Sequence, residues 1–337
     1  MTVLPSQDRY LSISVAMCTY NGARFLREQL DSILQQDQLP DELVICDDAS
    51  SDETIDILGD YVKLAPFPVK IHRNPTRLGY AQNYAHCIGL CSGDLIILSD
   101  QDDIWFPDRI RNTYAAFAAD GTITFTFSDA VLMNESGGDL KRTFYQDMRI
   151  KREDRRRFGE GTSVLPNVLV YGGILGCTMT FRSKFLSVIL PIPETWTHDW
   201  WISLVLCSIG PTHRISPVVR YRRHGAQTVG FENPSLKRRM EQTRARKEEQ
   251  YRKEIQQYQI ALDAARQRPE LQDKLASALQ SRIAFLCKRS GVRSGGIRGV
   301  RLLAELMRTG AYWRLGAGWG SFLKDVAALV SCFKEKR

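Results

Sequence analysis

The sequence predicts an α/β fold: a mostly parallel sheet between layers of helix, followed by an all-helical C-terminal region. Three observations predict it. Over the first two thirds of the 337 residues, short apolar runs alternate with segments of helical spacing, the pattern of parallel strands buried on both faces and joined by crossover helices. Two of those runs end abruptly in carboxylates, above all the run from Asp94 through Leu98 and Ser99 to Asp100, Gln101, Asp102 and Asp103. The charge is also segregated: residues 231–337 carry 23 Lys and Arg against 11 Asp and Glu, a net +12, which leaves 23 against 27, a net −4, in residues 1–230.

Residues 13–17 form the first strand and residues 18–22 its turn. Phe25, Leu26, Leu30, Ile33 and Leu34 then recur at helical spacing until Pro40 stops the helix. Residues 43–46 are a second buried strand that ends in Asp47 and Asp48. Ser50 and Glu53 have capping-box spacing and open a helix to Tyr61. Residues 69–71 make a short third strand, residues 79–90 a third helix, and the run from Asp94 the fourth strand. Pro107 starts another helix, since it lacks only an N–H that a first turn leaves unpaired. Residues 122–127 alternate as a strand does. Residues 135–165 are polar, with the mixed-charge run Lys151 to Arg157, and read as a long loop with short helices covering a site. Residues 172–176 lead into a strand over 177–181, Thr197 to Trp201 open an apolar helix ending at Gly210, and residues 218–225 supply a last strand and its exit.

Composition narrows the class. A hydrophobic share of 43% and a charged share of 25% are ordinary for a soluble globular chain, long enough here for a sizeable core. The eight cysteines form no CxxC pair and no zinc-like spacing with histidine, so they read as reduced, mostly buried thiols of a cytosolic protein. No basic-then-apolar start marks a secretory signal, and no apolar run approaches the roughly 18 residues of a membrane span.

The carboxylates carry the chemistry. Asp100, Asp102 and Asp103 repel one another and raise one another's pKa unless a cation or strong donors neutralise them. A divalent metal at the carboxyl end of a central strand, where open α/β sheets bind ligands, is the direct solution. A solvated acidic loop is the alternative.

Taken together, residues 14–22, Cys46 to Asp52, Leu78-Gly79-Tyr80, Gly93-Asp94, Ser99 to Trp105 and His198-Asp199-Trp200-Trp201 resemble family 2 glycosyltransferases of the GT-A fold. Within that family the likeness is to the rhamnosyltransferases of bacterial surface polysaccharides, and it covers residues 10–230. The resemblance implies an inverting, metal-dependent hexosyltransferase that moves a sugar, L-rhamnose first among candidates, from a nucleoside diphosphate to a hydroxyl of a growing, lipid-linked polysaccharide such as O-antigen. It places a nucleotide-binding half in residues 10–103 and an acceptor half in 104–230. Cys18, Tyr20, Asp48, Arg77 and Asp100 fall to the nucleotide sugar, with Tyr20 packing near the base and Asp48 bonding base or ribose. Asp102 and Asp100, of the DxD motif, and His224 fall to Mg²⁺ or Mn²⁺. Asp199 matches the catalytic base, and Trp200, Trp201 and Gly176 fall to the acceptor. Arg77 departs from the family, which more often has Asn before Leu-Gly. The expected donor is deoxythymidine diphosphate rhamnose or a uridine diphosphate sugar.

Blander readings stand beside these. Asp199 follows Thr197 at a helix start, where an acidic residue also serves as a first-turn charge. Trp200 and Trp201 are either a sugar platform or core, and His224 is either a ligand or a surface histidine. A sugar nucleotidyltransferase shares the sheet and the metal, but its phosphate loop needs more than the one glycine and one arginine of residues 18–24. A nucleotide-sugar dehydrogenase lacks its GxGxxG there, and a non-catalytic binding module is a further alternative.

Residues 231–337 form a separate helical region. A charged helix runs from Leu236 to Gln267, a second from Pro269 to Cys287, and residues 288–296 form a basic, flexible break. Ile297, Val300, Leu303 and Met307 then share one face, with Arg298, Arg301, Glu305 and Arg308 on another. Trp319, Phe322, Val326, Val330 and Phe333 make a second apolar stripe after Trp313. Basic amphipathic helices with Trp suit an anionic membrane surface, and they equally suit packing on the catalytic domain or on another subunit as a homo-oligomer. No nucleic-acid recognition motif accompanies the basic charge, so no nucleic-acid partner is expected. The expected location is cytoplasmic, peripheral on the inner membrane.

Overall fold

The computed structural model describes residues 10–148, 164–225, 248–293 and 295–334. The run Lys151 to Arg157, the helix start at Leu236 and the Phe333 side chain lie outside the described residues. The chain divides into two compact units, one of Met1–Val164 with Gly173–Thr228 and one of Leu165–Gly172 with Val229–Arg337.

In the first unit, β1 (Ile13–Thr19), β2 (Glu42–Asp47), β3 (Val69–Arg73) and β4 (Leu95–Ser99) run parallel, joined by α1 (Ala23–Leu34), α2 (Thr54–Leu64) and α3 (Tyr80–Gly89). After β5 (Ile104–Trp105) and α4 (Arg109–Ala119) come β6 (Phe125–Phe127), β7 (Val131–Met133) and β8 (Asp139–Thr143). The helix α5 (Leu165–Tyr171) belongs to the second unit; β9 (Thr180–Arg182), α6 (His198–Ile209), β10 (Thr212–Arg214) and β11 (Val219–Arg222) complete the first. The main sheet has the order β10-β6-β9-β4-β1-β2-β3, parallel except for β9, which runs against both its neighbours. Strands β2 and β4 are buried at every position and β1 at all but one, which is why their sequences are apolar without alternation. Ile13, Val15 and Met17 pack with Leu26, Leu30 and Ile33 of α1 on one face.

Register fixes the site. Met17 pairs with Ser99 and Thr19 with Asp47, so β1, β2 and β4 all end at one edge of the sheet. The chain proceeds from β1 to β2 and β3 on one side but returns to β4 on the other. A crevice therefore opens between their carboxyl ends.

Several expectations need correction. Ser50 and Glu53 form no capping box: the Ser50 amide donates to Asp47 Oδ2 at 2.9 Å, and Asp52 Oδ1 takes the Thr54 amide at 3.1 Å. Residues 139–143 are a strand rather than loop, part of a second sheet ordered β5-β11-β7-β8. The strand expected over 177–181 begins at Thr180, because Gly176–Thr178 turn as a 3₁₀ helix.

The second unit is helical: α5, α7 (Glu248–Arg266), α8 (Lys274–Arg293), α9 (Gly296–Arg308) and α10 (Trp319–Lys334). The flexible break expected at 288–296 is helical through Arg293, and Gly295 and Gly296 take the left-handed φ of +75° and +65°. Burial explains the difference. Arg289 is enclosed and forks onto Asp325, with Nε 2.7 Å from Oδ2 and Nη2 2.9 Å from Oδ1, while the Tyr312 hydroxyl donates to Oδ2 at 2.8 Å. A basic side chain so paired is part of a core rather than of a solvated linker. Among the described residues no helix is long and apolar enough to cross a membrane.

Candidate active site

The β4 tip supplies the centre. Asp100 Oδ1 lies 2.7 Å from the Tyr84 hydroxyl of α3, which also lies 2.7 Å from the Ser99 carbonyl. The Gln101 side chain grips the Tyr20 backbone from both sides, accepting from its N–H at 2.8 Å and donating to its carbonyl at 3.1 Å. That pair of bonds ties the turn after β1 to the turn after β4. Asp102 Oδ2 lies 2.9 Å from His224 Nε2, and the His224 ring, almost enclosed, packs on Phe25. His224 is therefore not a surface histidine. Asp103 is fully buried, its Oδ1 accepting from the Arg222 amide at 3.0 Å and its Oδ2 without a partner among the described residues.

Arg222 braces this loop. Its Nε donates to the Asp102 carbonyl at 2.8 Å, its Nη1 to the Glu135 carbonyl at 2.7 Å and its Nη2 to Glu28 at 2.8 Å. Behind the carboxylates, buried Arg109 stacks 3.7 Å from the Trp105 ring and bonds the Leu98 carbonyl. The fixed positive charge only partly offsets the crowding. Burial first, and then the Asp102 charge, pushes the Asp100 carboxyl up to about 7, with Asp199 adding to the rise. Burial, then Asp102 and Asp100, holds Asp103 well above the carboxylate range.

The α6 helix brings Asp199 to the same place. Thr197 caps the helix by accepting from the Trp200 amide, which also donates to Asp199 Oδ1 at 2.7 Å. Gly176 meets the start of this helix: a Cβ there would fall 2.5 Å from His198 Nε2 and 3.4 Å from Asp199 Cβ, so only glycine lets the two segments close. His198 lies face to face with Tyr84, centroids 3.8 Å apart. Burial keeps its imidazole below the usual pKa. Trp200 is half-buried edge-on to Trp196. Trp201 does not belong to an acceptor site. It is fully buried with its indole N–H donated to the Ile189 carbonyl at 2.7 Å, because neighbouring helix positions point apart.

At the β1 and β2 tips, Arg77 lies 3.9 Å over the Tyr20 ring. Asp48 is buried and already accepts three bonds from the protein, from Asn74 Nδ2 at 3.0 Å, the Leu78 amide at 2.7 Å and the Gly79 amide at 2.8 Å. Its visible work is to shape loop 74–79. Half-buried Cys18 has its thiol pushed up to about 11, chiefly by burial, with smaller contributions from Asp100 and Asp48. Through the stack of His198 on Tyr84 and the bond of Tyr84 to Asp100, the start of α6 and the β4 tip meet at α3.

The donor set fits a hard divalent ion. Mg²⁺ and Mn²⁺ prefer oxygen and need only one or two carboxylates where phosphates complete the shell. Among the described residues, the trio whose ligand atoms lie within 4.8 Å of one another is Asp100, Asp103 and Cys177, not Asp100, Asp102 and His224. Burial keeps the Cys177 thiol well above its ordinary pKa, hence protonated and a poor ligand. The carboxylates fit the ion, and His224 orients one of them.

Sequence reasoning missed Gln101, Tyr84, His198 and Arg222. Gln101 and His198 sit inside the quoted motifs and could have been weighed there. Arg222 likewise lies in the Tyr-Arg-x-His pattern that ends at His224, whereas Tyr84 carries no local signal, since its partners Ser99 and Asp100 lie further along the chain.

A family model described as glycosyl transferase family 2 matches residues 14–186. The putative glycosyltransferase EpsE of Bacillus subtilis (strain 168) is 38% identical over 103 residues, 31% of this chain and 37% of that protein, so the match spans little more than a third of its length. The dTDP-rhamnosyl transferase RfbG of Shigella flexneri is 26% identical over 256 residues, 73% of this chain and 84% of that one. In fold, the chain is similar to the mannosyltransferase PcManGT from Pyrobaculum calidifontis in complex with GDP-Man and Mn²⁺, with a TM-score of 0.51 at 18% identity over 98% of this chain and 89% of that one. The family match ends before Asp199 and His224.

Proposed function

From the premise that the chain belongs to glycosyltransferase family 2, we propose that it is an inverting, metal-dependent enzyme that transfers L-rhamnose from a deoxythymidine diphosphate donor to a hydroxyl of a lipid-linked surface polysaccharide. One observation carries the reading: His198, the neighbour of Asp199 at the start of α6, stacks 3.8 Å from Tyr84, whose hydroxyl lies 2.7 Å from Asp100 Oδ1, so the start of α6 meets the β4 tip. A proton acceptor and a diphosphate site thus share one crevice. The likeness to RfbG supports rhamnose and the thymidine base, and the Mn²⁺ bound by PcManGT supports the metal. Family membership displaces the nucleotidyltransferase, dehydrogenase and binding-module alternatives.

In this mechanism Tyr20 and Arg77 receive the nucleoside, on the floor that Asp48 shapes. Asp102 and Asp100 would hold the cation, which when bound would offset the charge that gathers on the leaving diphosphate. His224 and Arg222 keep Asp102 in place. The acceptor hydroxyl attacks the anomeric carbon from the side opposite the diphosphate while its proton passes to Asp199. The carbon–oxygen bond to phosphate breaks, and a single displacement inverts the centre. Gly176 and Trp200 border the acceptor. Incubation with a panel of nucleoside diphosphate sugars and Mn²⁺ tests the reading: metal-dependent release of rhamnose from the thymidine donor is expected, and no release from any donor would overturn it.

The second unit supplies the membrane contact. Ile297, Val300, Trp313, Trp319, Leu323 and Val330 are exposed there, among exposed Arg298, Arg301, Arg308 and Arg314. The sequence stripes divide, since Leu303, Met307 and Phe322 pack against the unit's own core. Each cation near an anionic surface adds about 1 kcal/mol. Co-sedimentation with phosphatidylglycerol vesicles is expected, weakened by salt and absent with phosphatidylcholine. Failure to bind, together with a dimer in sedimentation, would assign the face to a second subunit.

A further inference from the structure

Loop 74–80 runs from one end of the crevice to the other. At Arg77 it meets Tyr20, the nucleoside end. Three residues later, at Tyr80, it reaches the proton acceptor: the Tyr80 ring stands edge-on to His198 at 6.3 Å and 71°, and Asp199 is near enough to help raise its phenol pKa, after burial. Between these points Asp48 holds the Leu78 and Gly79 amides, so the position of Tyr80 at the first turn of α3 is fixed from below. His198, stacked on Tyr84, braces the ring from the side. Yet Tyr80 is 40% exposed and Leu78 45% exposed. Single exposed apolar residues are ordinary. A rigidly held aromatic ring beside the reacting centre is a surface awaiting a ligand.

Resting on the functional reading above, we propose that Tyr80 determines donor specificity by packing its ring against the C–H face of the donor sugar. A nucleotide sugar stretched from Tyr20 to Asp199 passes its diphosphate over the β4 tip and delivers its pyranose at Tyr80. Pyranoses display a face of C–H bonds, and a 6-deoxy sugar adds a methyl group where other hexoses carry a hydroxyl. An aromatic wall gains from burying that surface and leaves an extra hydroxyl without a partner. The ring, not the phenol oxygen, makes the contact.

Titration calorimetry of the full chain with dTDP and with dTDP-rhamnose, both with Mn²⁺, separates the roles. Tyr80→Ala is expected to weaken dTDP-rhamnose by roughly 10-fold or more, the usual scale of a lost apolar pocket contact, with dTDP unchanged. Tyr80→Phe is expected to match the parent on both. Equal weakening of both ligands by Tyr80→Ala would mean that the residue only holds the loop, and no weakening of either would leave the sugar untouched by it. Loss in Tyr80→Phe as large as in Tyr80→Ala would assign the contact to the hydroxyl. Each of these three outcomes overturns the proposal. A parent chain that binds no nucleotide or nucleotide sugar across a thymidine, uridine and guanosine panel would overturn the functional reading instead.

Discussion

Asp199→Asn is expected to lower sugar transfer by about 10²–10⁴-fold, the usual worth of a positioned general base, while leaving nucleoside diphosphate affinity intact. The substitution keeps size and shape and retains an oxygen to accept the Trp200 amide now held by Oδ1. Among the described residues nothing donates to Oδ2, the oxygen that takes the acceptor's proton in the proposed reaction. An amide cannot take that proton. The competing reading, a first-turn charge on α6, predicts a different result: about 0.3–1 kcal/mol of stability lost and turnover nearly normal. Single-turnover transfer and calorimetric titration of dTDP, run on one preparation, separate the two. Normal turnover in Asp199→Asn would remove it from the chemistry.

What the sequence reveals of this fold follows from where its causes lie. Strands β1, β2 and β4 are legible because burial on both faces demands continuous apolar runs, and the carboxylates that follow β2 and β4 show which sheet edge binds ligands. The second sheet is not legible. Its strands are two to five residues long, and β8 is exposed along nearly all its length, so polar residues there carry no periodic signal. Arg289 and Arg293 among glycines read as a solvated break, because their partner Asp325 lies more than thirty positions on. At the site, the resemblance to the family points to Asp48, Asp100, Asp102 and Asp199, but not to the occupation of Asp48 with loop 74–79. Likewise, adjacency in sequence cannot tell Trp200 from Trp201, whereas one helical step of rotation puts the second into the core.

The stabilising effect of Mn²⁺ with dTDP is expected to grow steeply with pH, and the metal-free protein to lose stability over the same interval. The Tyr84 hydroxyl has one proton and two acceptors at 2.7 Å, the Ser99 carbonyl and Asp100 Oδ1. A protonated Asp100 resolves the conflict by donating to the phenol oxygen while the phenol donates to Ser99. Burial, and then the Asp102 charge, raises the Asp100 carboxyl to about 7, against about 3.9 for an unfolded aspartate. The folded chain therefore binds the proton more tightly than the unfolded one. The resulting stability is complete below the unfolded value and disappears as pH rises through 7. A divalent ion needs the ionised carboxylate, so it must displace that proton at low pH and need not at high pH. Thermal midpoints at about pH 5.5 and about pH 8.5, with and without Mn²⁺ and dTDP, should show a small ligand shift at the first and a large one at the second. Asp100→Asn should flatten the metal-free decline near neutrality and abolish most of the Mn²⁺ response. Buried Asp103, whose carboxyl is raised in the same direction, stays in place and contributes a decline of the same sign. Equal ligand shifts at both pH values would show that Asp100 holds no proton for the metal to displace.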